Sequence, residues 1–142
     1  MTQASSDRVE VSRPSRAATE VVWRTLTAGR AAWWPEMEFD ARPGASLRET
    51  WEEDGATRAA IGNVVIAEPP FQLTFRWTQP EWPHGYATVA IRIVPDEAGS
   101  LVTVVETDLA RATGDPAQLD AHEQGWHYHL ERLVASSEST NS

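Results

Sequence analysis

The chain is predicted to be an α+β domain in which a curved antiparallel sheet of about six strands wraps around one long C-terminal helix, with two short helices after the first strand. Three observations predict it. Phe71, Leu73, Phe75 and Trp77 alternate strictly with Gln72, Thr74, Arg76 and Thr78, the period-two pattern of a strand with one buried and one wet face. Other alternating runs are separated by turn residues. Near the C-terminus Leu119, His122, Trp126, Leu130, Leu133 and Val134 fall three or four apart, an apolar helical stripe. An antiparallel sheet wet on one side needs its other face covered, and only the terminal helix is large enough to do it.

Val9 and Val11 alternate with polar residues before Pro14, which suits a short edge strand. A helix follows, starting near Pro14 or near Thr19, with Val22, Trp23 and Leu26 as its narrow apolar face. Gly29 interrupts it, Arg30 to Trp34 read as a second helical turn stopped by Pro35, and Asp40-Ala41-Arg42-Pro43-Gly44 reads as a tight turn. Leu47, Glu49 and Trp51 share one face of the next strand, and Asp54-Gly55 turns it into a run ending near Ala67. Pro69-Pro70 breaks that run before the Phe71 strand. Beyond the loop Pro80-Glu81-Trp82-Pro83-His84-Gly85, Val89, Ile91 and Ile93 make another buried face, and Ala98-Gly99 turns into a last strand through Leu109. Asp115 can cap the terminal helix with Pro116 at its first position and Gln118 following. The polar residues after Ala135 have nothing to bury, so the helix is expected to fray near Val134 or Ala135.

The 142 residues, 41% of them hydrophobic, suit one domain with a sizeable core and contain no run apolar enough for a membrane span. The opening residues have neither a basic start nor an apolar run, which argues against a secretory signal and gives a cytoplasmic location as the default. Zero cysteines exclude thiolate catalysis and cysteine metal sites. Twelve basic against twenty-one acidic groups leave a charge of −9, all the cations are dispersed arginines, and nucleic acid or an anionic membrane surface is not an expected partner. Seven tryptophans are the more telling excess, because each large ring must be buried, line a cavity or sit at an interface.

The order and spacing of Glu20-Val21-Val22-Trp23-Arg24-Thr25-Leu26-Thr27, Trp33-Trp34, Asp40-Ala41-Arg42-Pro43-Gly44, Gly62-Asn63-Val64, Pro69-Pro70-Phe71-Gln72-Leu73-Thr74-Phe75-Arg76-Trp77 and His122-Glu123-Gln124-Gly125-Trp126 resemble a known family. It is the activator of heat-shock protein 90 ATPase homologue family, within the START-like or SRPBCC superfamily. The resemblance implies a helix-grip fold, usually around a hydrophobic cavity, with a single START-like domain over residues 8–135 between a flexible tail at 1–7 and a disordered tail at 136–142. Ala45 and Asp108 stand where glycines are common in the family. Its eukaryotic co-chaperones stimulate their chaperone through an additional N-terminal domain for which this chain has no room, so the family name is not read as the activity.

Glu49 shares a strand face with Leu47 and Trp51, and Glu106 shares one with Val102 and Val104, so two carboxylates are expected to point inward. Buried carboxylates are costly unless paired or protonated. His122 enters the same space from the helix. The expected ligand-binding set is Glu49, Trp51, Trp77, Val89, Ile91, Val104, Glu106, His122 and Trp126, holding a small hydrophobic or aromatic molecule without a cofactor. A buried Glu–His or Glu–Arg hydrogen bond that merely ties sheet to helix explains the same residues equally well. Two alternatives stand beside the binding reading: a chaperone-related protein-interaction module, homodimers included, and a cyclase-like or hydrolase-like enzyme using Glu106 and His122. His122 and His127 are five apart and diverge around the helix, which speaks against a metal site, and His127 and His129 are expected to meet solvent or acids such as Glu131. Trp33 and Trp34 read as a core plug, and Trp82 and His84 as residues that could gate the cavity or meet a partner.

Overall fold

In the computed structural model, which describes residues 7–141, one curved antiparallel sheet of seven strands runs in the order β1-β7-β6-β5-β4-β3-β2. The strands are β1 (Arg8–Ser15), β2 (Met37–Phe39), β3 (Ser46–Glu53), β4 (Ala56–Glu68), β5 (Gln72–Thr78), β6 (Ala87–Asp96) and β7 (Gly99–Thr107). Helix α1 (Thr19–Leu26) and a 3-10 turn (Arg30–Ala32) lie between β1 and β2, and α2 (Leu109–Thr113) and α3 (Ala117–Asn141) follow β7. The expected fold class holds. The seventh strand is β2, whose three residues are too short to show an alternation.

Local chemistry explains the elements. Pro14 lies inside β1, where an edge strand tolerates the missing donor, and α1 begins at Thr19. Asp54 (φ 53) and Gly55 (φ 79) both adopt the left-handed conformation that a two-residue hairpin turn demands between β3 and β4. Further along β4 the pairing with β5 slips between Val64 and Ile66, a bulge that bends the sheet. Gly62 pairs with Trp77, and a Cβ there would lie 1.7 Å from the Arg76 carbonyl oxygen, so only glycine lets β4 approach the strand that carries Trp77.

Four expectations need correction. Phe71 precedes β5 and is 51% exposed, because the Pro69-Pro70 turn starts the strand one residue later than the alternation suggests. The last strand ends at Thr107, since Asp108 (φ 65) leaves the extended conformation and Leu109 opens α2. The Asp7 carboxylate accepts from the backbone N–H groups of Ala110 and Arg111, so Asp7 is fixed rather than part of a loose tail. Helix α3 also runs past its expected fraying point. Ser137 is fully buried and shares a hydrogen bond of 3.0 Å with Ser15 Oγ, and Glu138 accepts from the Arg16 N–H at 2.8 Å. Those partners lie 122 residues away in sequence, which local periodicity cannot reveal. The expectations for residues 1–6 and for Ser142 fall outside the described residues.

The core gathers Val22 and Leu26 of α1, the inward faces of the sheet, and Trp126, Leu130 and Leu133 of α3. Helix α3 packs chiefly against β1 and α1. Toward β3 and β5 the space beneath it is occupied by indole rings, and that is where the site lies.

Candidate functional site

Three alternating strands and one helix face converge under α3. On β7, Val102, Val104 and Glu106 all point inward and are fully buried; β5 contributes Trp77 and β3 contributes Glu49 and Trp51. Helix α3 adds His122, Trp126 and His129, four and then three residues apart on one face. Its start is fixed as expected, because the Asp115 carboxylate accepts from the Ala117 N–H at 3.0 Å.

Glu106 is the centre of the arrangement. Its Oε2 accepts from Trp77 Nε1 at 2.8 Å and its Oε1 from Trp126 Nε1 at 2.9 Å, while His122 Nδ1 lies 2.8 Å from Oε1. A carboxylate has acceptor sites for all three, which answers the cost of burying it. The two indoles it orients stack on each other with centroids 5.8 Å apart and planes inclined by 28°. A second carboxylate is held similarly: Trp34 Nε1 donates to Glu49 Oε2 at 3.0 Å, and the Trp34 ring meets Trp126 edge-on. Burial raises the Glu49 pKa above the usual carboxylate value, and the Trp34 hydrogen bond opposes that shift.

Between these residues a cavity of about 200 Å³ remains, lined by Glu49, Trp51, Trp77, Gln79, Ala121, His122, Gly125, Trp126 and His129. An outer hollow of about 320 Å³ shares Trp51 and Gln79 with it and continues along Glu53, Glu81, Trp82, Thr113, Asp115 and Gln118. The inner cavity is smaller than the roughly 300–1,000 Å³ of drug-sized pockets, because the tryptophans themselves fill much of the space. A larger groove of about 530 Å³ at the β2–β3 edge is open and bordered by charges of both signs, including Arg30, Arg42, Arg48, Glu38 and Asp40. It lacks the apolar, enclosed walls that a ligand site needs.

Six of the nine expected residues meet here: Glu49, Trp51, Trp77, His122 and Trp126 line the cavity, and Glu106 stands behind His122 and Trp126. Val89, Ile91 and Val104 are not among its lining residues; they are at most 2% exposed and pack within the core. His127 is exposed beside Glu123, as anticipated, but His129 is not a solvent residue. It stacks on Trp34 at 4.2 Å, and burial, with Arg132 nearby, lowers its pKa to about 4. Its buried Nδ1 has no hydrogen-bond partner among the described residues. The signal was available, since His129 lies three residues beyond Trp126, on the stripe that gave His122. Trp33 and Trp34 do plug the core, with Trp33 Nε1 donating to the Thr25 carbonyl, and Trp82 lies at the outer hollow. No group of three metal-ligating side chains exists among the described residues.

A curved antiparallel sheet gripping a long helix, with an aromatic hollow beneath the helix's first turns, defines a helix-grip protein of the SRPBCC type, a fold that commonly binds ligands. The chain belongs to the family described as Activator of Hsp90 ATPase homolog 1-like protein, whose model matches residues 16–138. Protein MLL2253 from Mesorhizobium loti has a similar solved structure, with a TM-score of 0.79 at 18% identity over 95% of this chain and 99% of that one. Protein CV1439 from Chromobacterium violaceum aligns with a TM-score of 0.75 at 20% identity, over 93% and 97% of the two chains. DynU16, a putative protein in the dynemicin biosynthetic locus, gives a TM-score of 0.77 at 23% identity, and its match covers 95% of this chain but 48% of DynU16. No curated protein matches the chain. No helix among the described residues is long and apolar enough to cross a membrane.

Proposed function

We propose that this domain binds a small hydrophobic or aromatic molecule, without a cofactor, in the cavity between β3, β5 and α3. The observation that carries this reading is the residual space of about 200 Å³ walled by Trp51, Trp77 and Trp126, with Glu49, Gln79, His122 and His129 as its polar groups. Flat apolar walls with a few fixed polar atoms are how a pocket combines affinity with orientation. Three donors around Glu106 hold two of those walls in place, so little ordering remains to be done on binding.

Gly125 offers a direct test. It lines the cavity from α3, and a Cβ at this position meets nothing within 4 Å. Gly125→Leu therefore extends into open space and removes a helix-interior glycine, which favours the helix by roughly 1 kcal/mol. Native mass spectrometry of the purified protein and a thermal-shift screen of small aromatic compounds should show a ligand for the native chain and none for Gly125→Leu. Binding that is unchanged in Gly125→Leu would place the ligand elsewhere, and a screen in which nothing binds would end the proposal.

One contact favours a second reading. With Nδ1 beside Glu106, His122 keeps Nε2 as its free ring nitrogen, and an imidazole oriented by a carboxylate is the arrangement of a general base. Deuterium exchange into an aryl ketone, followed by NMR, tests it: exchange lost in His122→Gln supports a proton-transfer role, and exchange equal in both proteins removes it.

A further inference from the structure

We infer that the cavity selects an organic cation, an aromatic group carrying a protonated amine that sits against Glu49. The inference rests on the ligand-binding reading above and specifies the charge of the ligand.

The indole groups decide first. Trp34 Nε1 donates to Glu49, Trp51 Nε1 to Glu53, and Trp77 Nε1 and Trp126 Nε1 both to Glu106. The three indole donors of the inner cavity wall, those of Trp51, Trp77 and Trp126, are thus already engaged by carboxylates. An anion entering here meets no free indole N–H on the inner walls, and the ring faces it meets carry a negative quadrupole; the polar groups beside them are Glu49, Gln79, His122 and His129. A cation is attracted to those same faces.

Charge placement agrees. Glu49 lines the inner cavity, and Glu53, Glu81 and Asp115 line the outer hollow, whereas none of the twelve arginines lines either space. The general acidity of the chain does not account for this, since three arginines border the groove at the β2–β3 edge. Arg132, the cation whose charge His129 feels, is tied to the Trp33 carbonyl at 2.9 Å and lies over Tyr128. Three carboxylates around the outer hollow, with Glu49 beyond them in the inner cavity, draw a cation inward.

Glu49 then supplies the anchor. Its hydrogen-bond partner is the neutral Trp34 indole, and it forms no ion pair among the described residues. Burial raises the Glu49 pKa, Glu36 and Glu106 add to that, and neither the Trp34 hydrogen bond nor the nearby His122 offsets it. An ammonium group at this position offsets the carboxylate charge, while its attached ring lies against the indoles of Trp51, Trp77 and Trp126 that line the cavity.

Isothermal titration with three probes that share an indole ring separates the outcomes: tryptamine as the cation, 3-ethylindole as the neutral analogue and indole-3-propionate as the anion. Tryptamine should bind about tenfold more tightly than 3-ethylindole, the size of a partly desolvated cation–π and charge contribution, and indole-3-propionate should bind most weakly. In Glu49→Gln, which preserves an acceptor for Trp34, the advantage of tryptamine should shrink to about threefold or less. Equal affinity for tryptamine and 3-ethylindole would overturn the inference and leave the cavity reading standing. An undiminished tryptamine preference in Glu49→Gln would overturn the assignment of the anchor. Failure of all three probes at millimolar concentration would overturn the cavity reading and the inference with it.

Discussion

Replacing Glu106 with leucine strands two indole N–H groups in the core. Trp77 and Trp126 are 6% and 3% exposed, so neither donor can turn to water once the carboxylate is gone. An unsatisfied buried donor costs about 1–3 kcal/mol, which gives about 2–6 kcal/mol for the pair. His122, with 17% of its side chain exposed, can recover a bond to solvent and adds little. Leucine also relieves the desolvation of a fully buried carboxylate, an effect of opposite sign that places the expectation in the lower part of that range, about 2–4 kcal/mol. For a domain of this size, Tm should fall by about 6–12 °C. The sharper measurement is a double-mutant cycle with Trp126→Phe, followed by urea denaturation and far-UV circular dichroism. In the native background Trp126→Phe breaks a hydrogen bond to a charged acceptor; in Glu106→Leu it removes an orphaned donor and should cost at least about 1.5 kcal/mol less. Losses that add to within about 0.5 kcal/mol would show that Glu106 and Trp126 are not coupled and would refute the network.

Gly62→Ala places a methyl 1.7 Å from the Arg76 carbonyl oxygen and should cost at least about 3 kcal/mol or prevent folding, readily scored by circular dichroism. His129 has its pKa lowered from the usual 6.5 to about 4, so between these values the unfolded chain binds more protons and stability rises with pH. That contribution, at most about 3 kcal/mol, is complete above pH 6.5 and lost as pH falls toward 4; urea midpoints across this range should flatten in His129→Phe. Glu49 acts in the opposite direction, since its raised pKa makes its contribution fade as pH rises through that value, and Glu49→Gln should be more stable than the native chain at neutral pH. Ending the chain after Ala135 removes the buried Ser137 partner of Ser15 and should cost about 1–3 kcal/mol; an unchanged Tm would make these residues a passive tail.

Most of the architecture was legible because its signals are local. Alternation along β5, the Asp54-Gly55 turn and the Asp115 cap each act within a few residues, and each forms where the sequence indicates. Strand β2 and helix α2 are too short to carry a period, and the start of α2 is held by the distant Asp7. In the site, inward alternation found Glu49 and Glu106, and helical spacing found His122 and Trp126. The same alternation chose Val89, Ile91 and Val104, for facing inward is necessary to line a cavity but not sufficient when tryptophans fill the space in between. His129 lies on the helical stripe that found His122 and Trp126, but its stacking on Trp34 joins a loop to a helix, and that contact no periodicity encodes.

The position of β1 bears on how the protein is made. Val9 pairs with Glu106 and Val11 with Val104, while α3, the last element of the chain, packs on the same strand. The first strand leaves the ribosome with its apolar side chains uncovered and waits for partners more than ninety residues behind it. At roughly 5–20 residues per second, that interval lasts on the order of ten seconds. A chain built this way closes late, because β1 finds its pairing partner only once β7 has been made.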